Sequence, residues 1–258
     1  MTAAAAGGGR PVALVTGSSR GIGRATALLF AERGHDVVVH YRRDAEAAEA
    51  TAKEARERGA EVLVVHGDLQ EAEIPARLLA ETADRFGRLD VLVANAASTA
   101  FKPLAEVGAR HLDLTMHTVV QSFLLLATGA APLMAGRPGS IVGVSGFDSL
   151  RVVANHGLLG AAKAALEQLV RYLAVELAPQ DIAVNSVLPG FVATDSARLW
   201  AETSHPGGWE TFEGERAPGT IISPENIAEV IAFLCSPAGR CIRGHNLVVD
   251  AGVTLPFA

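Results

Sequence analysis

Two side chains that can handle protons stand close together near the middle of the chain. His156 precedes Lys163 by seven positions in the segment SGFDSLRVVANHGLLGAAK, which runs from Ser145 to Lys163. An imidazole titrates near neutral pH and can donate from a ring N–H, so it is suited to stabilising negative charge on a reacting substrate. The pair therefore marks a candidate catalytic site, although His156 could instead cap the start of a helix beside Asn155.

A glycine-rich stretch near the N-terminus has the pattern of a phosphate-binding turn. The sequence TGSSRGIG (16–23) follows a strand pattern and precedes the helical sequence RATALLFAERG. Glycines let the backbone approach a pyrophosphate, and the helix start offers free N–H groups and a positive dipole end. A dinucleotide cofactor is therefore expected here, the alternative being a tight turn without a ligand. The residues expected to contact the cofactor are Gly17, Ser19, Arg20, Ile22 and Gly23.

The end of the second predicted strand, HYRR (40–43), indicates which dinucleotide binds. Sites selective for NAD usually have a carboxylate here, which accepts the ribose hydroxyls. In this chain Arg42 and Arg43 precede the first acid, Asp44, and Arg20 lies in the glycine-rich turn. Guanidinium groups suit a 2′-phosphate, so NADP(H) is the predicted cofactor unless the arginines merely face solvent. The residues expected at this end of the cofactor are Tyr41, Arg42 and Arg43.

Lys163 lies between alanines in a helical pattern that is otherwise apolar. The apolar positions of that pattern include Leu159, Ala162, Leu166, Leu169 and Leu173. A lysine in such surroundings needs a partner, which the ribose of the cofactor could supply; the alternative is that its ammonium extends to solvent. Lys163 is therefore predicted to bind the cofactor as well as to take part in catalysis.

The elements that must position these residues alternate between strands and helices. Seven short apolar runs read as buried parallel strands, at 12–16, 36–41, 61–67, 90–95, 140–145, 182–188 and 246–250. Amphipathic stretches such as Ala45–Arg58 and Ala72–Arg85 separate them. This order predicts one α/β domain over residues 10–258, a Rossmann-like, doubly wound, seven-stranded parallel sheet, after a disordered tail at residues 1–9.

One region interrupts this alternation. Residues 194–223 contain Trp200, Trp209 and the run SHPGGWETFEGERAPG. A long irregular insertion is uncommon unless it covers or binds a ligand. We expect a substrate loop here, the alternative being a mobile surface loop with two partly exposed tryptophans.

The composition excludes several classes of protein. Apolar residues make up 49% of the 258 residues, enough for a large core, and the net charge of −6 provides no basic field for nucleic acid or anionic lipid. Cys235 and Cys241 lack metal-type spacing and are expected to be reduced, buried thiols, and no metal site is predicted. The start MTAAAAGGGR has no signal-peptide pattern, and no apolar run is expected to approach the length needed to span a membrane. The prediction is a soluble, cytoplasmic protein.

Several motifs together resemble a known family. The motifs TGSSRGIG, GDL (67–69), VANAA (93–97), Lys163 and LPGFVATD (188–195) occur in the order typical of short-chain dehydrogenases/reductases, and the resemblance runs from Pro11 to Phe257. It implies that Asp68 contacts adenine, that 95–97 supports the central strand near the ribose, and that 189–194 passes over the nicotinamide amide. The cofactor contacts implied in this way are Asp68, Leu69, Asn95, Ala96, Lys163, Pro189, Gly190, Val192 and Thr194.

The catalytic positions depart from that family's pattern. Its tetrad is Asn, Ser, Tyr and Lys, with tyrosine four residues before lysine. Here Leu159 stands at the tyrosine position and Gly146 at the serine position, with Ser145 and Ser149 nearby. The segment 113–123 contains no asparagine, and alanine replaces the usual glycine at position 97.

The enoyl-acyl-carrier-protein reductases of the same superfamily offer a different register. They place tyrosine seven positions ahead of lysine, and that position is His156 here. This resemblance implies NADP(H)-dependent reduction of an enoyl thioester or related carbonyl compound, with His156 in place of tyrosine. His117 could face the same cleft or could be an ordinary helix histidine.

Other activities remain open at this level. The chain could reduce a ketone or imine, could bind the cofactor without redox activity as the subunit of an active homologue, or could catalyse a cyclisation or dehydration. The substrate would be a small molecule, free or tethered to a carrier protein. The family resemblance also implies that the helix containing Lys163 pairs with the helix 112–134 in a four-helix interface of a homodimer or homotetramer.

Overall fold

A computed structural model describes residues 9–255, so the predicted tail at residues 1–9 lies, apart from Gly9, outside the described residues. Within this range a seven-stranded sheet has the order β3-β2-β1-β4-β5-β6-β9, and every pair of neighbours is parallel. Its strands are β1 Val12–Val15, β2 Asp36–Tyr41, β3 Val62–His66, β4 Val91–Ala94, β5 Gly139–Val144, β6 Ile182–Pro189 and β9 Asn246–Val249. The doubly wound parallel sheet is confirmed, and each predicted strand agrees with the structure to within one residue at either end.

Helices cover both faces of this sheet. They are α1 Gly21–Glu32, α2 Ala45–Glu57, α3 Ile74–Phe86, α4 Ala109–Met116, α5 Ser122–Ala130, α6 Gly157–Glu176, α7 Asp195–Ser204, α8 Gly208–Gly214 and α9 Pro224–Leu234. Strands that are covered on both faces need apolar side chains at every position, because neighbouring residues point to opposite sides. In β1, Val12 and Leu14 belong to the core that contains Phe123, whereas Ala13 and Val15 belong to the core that contains Phe30.

The strand order places a crevice beside the first strand. From β1 the chain first adds β2 and β3 on one side and then crosses to add β4, β5 and β6 on the other. The strand order therefore reverses between β1 and β4, where Val15 lies opposite Val93. Ligands of such sheets bind outside the carboxyl ends of the strands at this point, and the glycine-rich turn follows β1 there.

The region 194–223 contains two helices and is not the irregular loop that was expected. Helices α7 and α8 lie between two short strands, β7 Phe191–Val192 and β8 Ile221–Ile222, which pair in parallel. Trp200 and Trp209 are only 6% and 3% exposed, so the alternative of partly exposed tryptophans is also wrong. They pack with Ala201 and Phe212 in a small core of their own. The glycines and prolines of this region are typical of a loop, but the buried apolar side chains of α7 and α8 pack against each other and stabilise both helices.

A second correction concerns helix length. Helices α4 and α5, a π-helical turn at His117–Gln121 and a final 3-10 turn form one helical run, Ala109–Met134, that is long and apolar enough to cross a membrane by length and composition. The expectation that no segment reaches this length is therefore wrong. Half of its most apolar window is buried, and Phe123 and Leu126 are fully buried in the main core. Packing against the sheet accounts for this apolar character.

The two cysteines differ in their surroundings. Cys235 is partly buried at the end of α9, and burial raises the pKa of its thiol to about 12. Cys241 is exposed in the turn that follows, so the prediction of two buried thiols is wrong for this residue. Both thiols are free.

Candidate functional site

The glycine-rich turn after β1 has the backbone geometry that a close ligand needs. Gly17 and Gly21 have φ values of +64° and +55°, in the left-handed region that favours glycine. A Cβ atom at Gly23 would lie 2.4 Å from the carbonyl oxygen of Gly17, so α1 packs directly against the turn only because this side chain is absent. The turn is thereby held close to the N-terminus of α1.

Hydrogen bonds from two neighbouring strands fix this turn. The side-chain amide of Asn95, just after β4, donates to the carbonyl oxygens of Thr16 and Gly17 at 2.9 and 3.1 Å. From β2, Nδ1 of His40 accepts a hydrogen bond from the Gly17 N–H at 3.1 Å, and its Nε2 lies 3.1 Å from the carbonyl oxygen of Gly67. Nε2 must therefore carry the proton, and burial lowers the pKa of His40 to about 4. The sequence analysis did not identify His40.

A cavity of about 540 Å³ opens beside the turn, at the carboxyl ends of the strands. Twelve of the seventeen residues predicted to bind the cofactor lie in its wall: Gly17, Ser19, Arg20, Ile22, Tyr41, Arg42, Arg43, Asp68, Leu69, Asn95, Ala96 and Thr194. Residues from five separate parts of the sequence are thus brought together. That they contact a cofactor stays a prediction.

The other five predicted residues lie outside that wall: Gly23, Lys163, Pro189, Gly190 and Val192. Gly190 packs so closely against Asp250 that a Cβ atom would lie 2.7 Å from its Cα atom. Val192 is buried in β7, and Pro189 ends β6. These residues shape the segment that leads to Thr194, which begins α7 by accepting a hydrogen bond from the Ala197 N–H at 3.2 Å.

Arginines and acids both line the cavity. Arg20, Arg42 and Arg43 lie in its wall together with Asp44, Asp68 and Asp195, and Nη1 of Arg20 lies 3.6 Å from Oδ2 of Asp195. Nη1 of Arg42 lies 3.8 Å from Oδ2 of Asp68, whereas the carboxylate of Asp44 caps α2 by accepting from the Ala47 N–H at 2.9 Å. The carboxylate of Asp44 is therefore engaged by the helix start, and Arg43 is the arginine of the three that makes no ion pair among the described residues.

Lys163 is buried in the middle of the fold and does not extend to solvent. Its side chain lies on α6, the residue is 5% exposed, and Nζ donates to the carbonyl oxygen of Val144 at 2.5 Å. Burial lowers the pKa of the amine to about 8, while the nearby Asp148 and Glu167 carboxylates act in the opposite direction. Glu167 is itself buried and accepts a hydrogen bond from the Ser145 hydroxyl at 2.5 Å. Neither of these acids was identified from the sequence.

His156 lies at the residue before α6, with its ring enclosed by aromatic side chains. Phe101 stacks on the imidazole with 4.9 Å between ring centroids, and Trp200 meets it edge-on at 5.4 Å. Nδ1 lies 3.1 Å from Oδ2 of Asp148, and Nε2 is buried with no hydrogen-bond partner among residues 9–255. His156 occupies the N-cap position of α6, as the alternative expected, but its side chain makes no capping hydrogen bond within the described chain.

The chain reaches this position through an unusual backbone turn. Asn155 has a φ of +61°, a left-handed conformation that asparagine tolerates better than most residues. Its side-chain amide donates to the hydroxyl of Ser204 in α7 at 3.0 Å, and the indole N–H of Trp200 donates to the carbonyl oxygen of Ala154 at 2.9 Å. Helix α7 therefore holds the segment that presents His156.

The positions of the missing tetrad members have other occupants. Leu159 packs against the main core, and Gly146 precedes a short 3-10 turn. His117 is exposed, so it does not face the cleft. The next residue, Thr118, lines the cavity from the π-helical turn, and its buried hydroxyl has no hydrogen-bond partner within residues 9–255. Such turns often occur at functional sites, but no pattern in the sequence indicates one here.

A second cavity, of about 510 Å³, adjoins the aromatic side chains near His156. Trp200, Phe147 and Val153 contribute to its wall, as do Arg151 and Arg216. The guanidinium of Arg216 stacks on Phe191 and Phe212 at 4.9 and 4.5 Å from the ring centroids. In the described part of the chain, no group of three or more histidine, cysteine or acidic side chains could hold a metal ion.

Comparisons with known proteins agree on one family. A family model described as "Enoyl-(Acyl carrier protein) reductase" matches residues 17–254. The chain is 39% identical to 1-cyclohexenylcarbonyl-CoA reductase of Streptomyces collinus, over 95% of this chain and 88% of that protein. It is 32% identical to versicolorin reductase 1 of Aspergillus parasiticus, over 93% and 95% of the two chains.

Solved structures show the same similarity. A short-chain dehydrogenase from Burkholderia cenocepacia in complex with NADP superposes with a TM-score of 0.86 at 30% identity, covering 93% of this chain and 96% of that one. Acetoin dehydrogenase YohF from Salmonella typhimurium superposes with a TM-score of 0.82 at 30% identity, covering 95% and 97%.

Proposed function

The chain belongs to the short-chain dehydrogenase/reductase family, and from this premise we propose that it is an NADP(H)-dependent reductase of an α,β-unsaturated thioester. The observation that carries the proposal is the placement of His156. Its position relative to Lys163 matches the tyrosine of the enoyl reductases, and its Nε2 has no partner among the described residues.

The cavity beside β1 is suited to NADP(H). A Cβ atom at Gly17 would lie 3.1 Å from the Cα atom of Ala96, so glycine lets the turn pack against the segment after β4. The N-terminus of α1 follows this turn, and free N–H groups at a helix start suit a pyrophosphate. Arg42 and Arg43 supply guanidinium groups for a 2′-phosphate. A related structure binds NADP, which supports the same assignment. When bound, the cofactor supplies the hydride.

The substrate class follows from the relatives and from the chemistry of the site. The family model and the Streptomyces enzyme both carry names of reductases that act on acyl thioesters. Reduction adds a hydride to the β-carbon and a proton to the α-carbon, while negative charge builds on the thioester oxygen. A ring N–H of His156 stabilises that charge and provides the proton, which the imidazole recovers from water.

Lys163 acts from beneath the same site. Its Nζ is held at the carboxyl end of β5 by the carbonyl oxygen of Val144 and lies outside the wall of the cofactor cavity. We propose that the ammonium turns from this oxygen to the ribose hydroxyls when the cofactor binds. With a pKa of about 8, the amine is charged at neutral pH. Lys163 therefore positions the cofactor and adds positive charge beneath the developing oxyanion.

Helices α7 and α8 cover the substrate. Trp200 contacts both His156 and the second cavity, which is lined by apolar and cationic side chains suited to an acyl thioester. Because Nε2 is enclosed, the substrate oxygen reaches it only when Phe101 or Trp200 shifts. The segment 195–214 is therefore proposed to open and close over the substrate.

A second function, cofactor binding without redox activity, is favoured by one observation. Nε2 of His156 is buried, so a protein in which Phe101 and Trp200 stay in place would bind NADP(H) and reduce nothing. In that case the chain would serve as the subunit of an active homologue.

The test is NADPH oxidation with enoyl thioesters by the purified protein and by His156→Ala. We expect the variant to lose about 100-fold in kcat, since a single aligned donor contributes about that much, while binding NADPH as the unaltered protein does. His117→Ala is the matched control, because that histidine is exposed, and it should keep full activity.

Two outcomes would contradict the proposal. Full activity of His156→Ala would remove the imidazole from the chemistry. No NADPH oxidation with any enoyl thioester, together with tight NADPH binding, would favour the second function.

A further inference from the structure

The imidazole of His156 has a buried acidic partner. Oδ2 of Asp148 lies 3.1 Å from Nδ1, and the side chains of Asp148 and His156 are 6% and 17% exposed. A carboxylate in this position accepts the proton of Nδ1 and thereby fixes the orientation and tautomer of the ring. Nε2 then becomes the nitrogen that is free to face a substrate.

Two glycines leave space for Asp148. A Cβ atom at Gly146 would lie 2.4 Å from Oδ1 of its carboxylate, and one at Gly160 would lie 2.4 Å from its main-chain carbonyl oxygen. Gly146 is the residue at the family's serine position. A Cβ atom there would force the Asp148 carboxylate to move from this position, so a glycine at 146 lets the carboxylate stand beside the His156 ring.

The other charged groups nearby have direct partners of their own. Lys163 donates to the carbonyl oxygen of Val144, and Glu167 accepts from the hydroxyl of Ser145. The carboxylates of Asp148 and Glu167 both raise the pKa of Lys163 through space, without a direct hydrogen bond to its Nζ. Among the residues that the structure describes, His156 is the side chain that hydrogen-bonds directly to Asp148 from another element.

From this geometry we infer that Asp148 is the positioning residue for His156, and that Gly146, Asp148 and His156 form one unit that replaces the serine and tyrosine of the family. The inference rests on the proposed function for its catalytic meaning. Asp148 accepts from the Nδ1–H and stabilises the positive charge of the doubly protonated ring, so that the Nε2–H is the group that donates to the thioester oxygen. Removal of the carboxylate therefore disfavours the proton on Nδ1 and the charged ring, without changing the cofactor cavity.

The experiment combines spectroscopy with kinetics. Protein labelled with ¹⁵N-histidine is sedimented with NADP⁺ and studied by solid-state NMR, and the His156 signals are assigned by their loss in His156→Gln. We expect Nδ1 to be protonated in the unaltered protein and largely unprotonated in Asp148→Asn, whose amide N–H can donate to Nδ1. With an enoyl thioester, kcat should fall about 100-fold while the KM for NADPH stays within about 2-fold.

Gly146→Ala tests the steric link, because its methyl group displaces Oδ1 of Asp148. Alone, it should lower kcat and shift the tautomer as Asp148→Asn does. In an Asp148→Ala background, where no carboxylate is present, it should have no further effect, so the two changes are not additive. Thermal unfolding and NADPH binding verify that each variant folds.

The outcomes separate this inference from the proposed function. If Nδ1 stays protonated in both Asp148→Asn and Asp148→Ala, the inference is overturned, whatever happens to activity. If the tautomer changes as expected but no enoyl thioester is reduced by the unaltered protein, the pairing is supported and the proposed reaction is wrong.

Discussion

At the scale of single residues, His40 connects three strands at the cofactor cavity. It lies at the end of β2, accepts from the turn after β1 through Nδ1, and lies against Gly67 after β3 through Nε2. Only the neutral ring can accept from the Gly17 N–H. The charge state of one buried histidine therefore controls whether the glycine-rich turn keeps its shape.

His40 should make the stability of the protein dependent on pH. The pKa of this group is about 4 in the folded state against 6.5 in the unfolded chain. Between these values the unfolded state binds more protons, so the free energy of unfolding falls as the pH drops from about 6.5 to about 4, by up to about 3 kcal/mol. Urea denaturation of the unaltered protein and of His40→Gln, which cannot titrate, should show a smaller loss for the variant. Equal slopes in that pH range would exclude His40 as the cause.

Sequence patterns predicted the residues that share the first cavity more completely than the acids near His156 and Lys163. The glycine-rich turn, Arg42 and Arg43 follow directly after strands, and the ends of parallel strands meet at one edge of the sheet. Asp148 is eight residues from His156 in a 3-10 turn, and Glu167 is one helical turn beyond Lys163. Their contacts depend on how β5 and α6 pack together, and no periodicity in the sequence records that.

At the scale of elements, helices α7 and α8 form a unit with its own core. Phe212 is fully buried and contacts Trp200, Trp209 and Phe191, with ring centroids 5.1, 5.7 and 4.8 Å away. This core is separate from the two cores that pack on the sheet. A unit held by few long-range contacts can open without unfolding the sheet.

Phe212→Ala should loosen this unit selectively. Loss of a buried phenylalanine costs about 3–5 kcal/mol, so the amides of α7 and α8 should exchange with deuterium faster while those of β1 and β4 stay protected. The KM for an enoyl thioester should rise about 10-fold, since roughly 1.4 kcal/mol of substrate contact would be lost, and NADPH binding should be unchanged. Phe233→Ala, at a 44% exposed position on α9, is the matched control. Faster exchange in β1 and β4 as well as in α7 and α8 would show that the sheet and this unit do not open independently.

The region 194–223 shows why an element can be misjudged from sequence. Gly207, Gly208 and Pro206 interrupt the helical pattern, and Gly207 and Gly208 indeed have positive φ values. They form the turn between α7 and α8. The apolar residues before and after this turn stabilise α7 and α8 by packing against each other. A sequence pattern read over one short helix at a time does not include that contact.

At the scale of the whole molecule, the sheet was predictable because its strands are buried on both faces. Continuous apolar runs mark such strands clearly, and alternating helices require parallel pairing. The strand order and the 26-residue helical run Ala109–Met134 were harder to predict from the sequence. The helical run includes a π-helical turn, which apolar periodicity does not record.

One face of the molecule should mediate self-association. Leu124 and Leu125 on α5 and Tyr172 and Val175 on α6 are large apolar side chains with 38–74% exposure, and patches of this kind are typical of interfaces. We expect Leu125→Glu combined with Tyr172→Glu to convert an oligomer to a monomer in light scattering after size-exclusion chromatography. Leu199→Glu, at an exposed position on α7, should leave the assembly intact. An unaltered protein that is monomeric would contradict this expectation.

The two tryptophans of the chain, Trp200 and Trp209, are both buried in the segment 195–214. All of the tryptophan fluorescence of this protein therefore originates next to the proposed substrate position, and Trp200 contacts the imidazole of His156. A protonated imidazole quenches the fluorescence of an adjacent indole, so the emission intensity of the protein depends on whether His156 is protonated. The protein thus has an intrinsic optical reporter, without any label, for the closing of α7 and α8 and for the proton on His156.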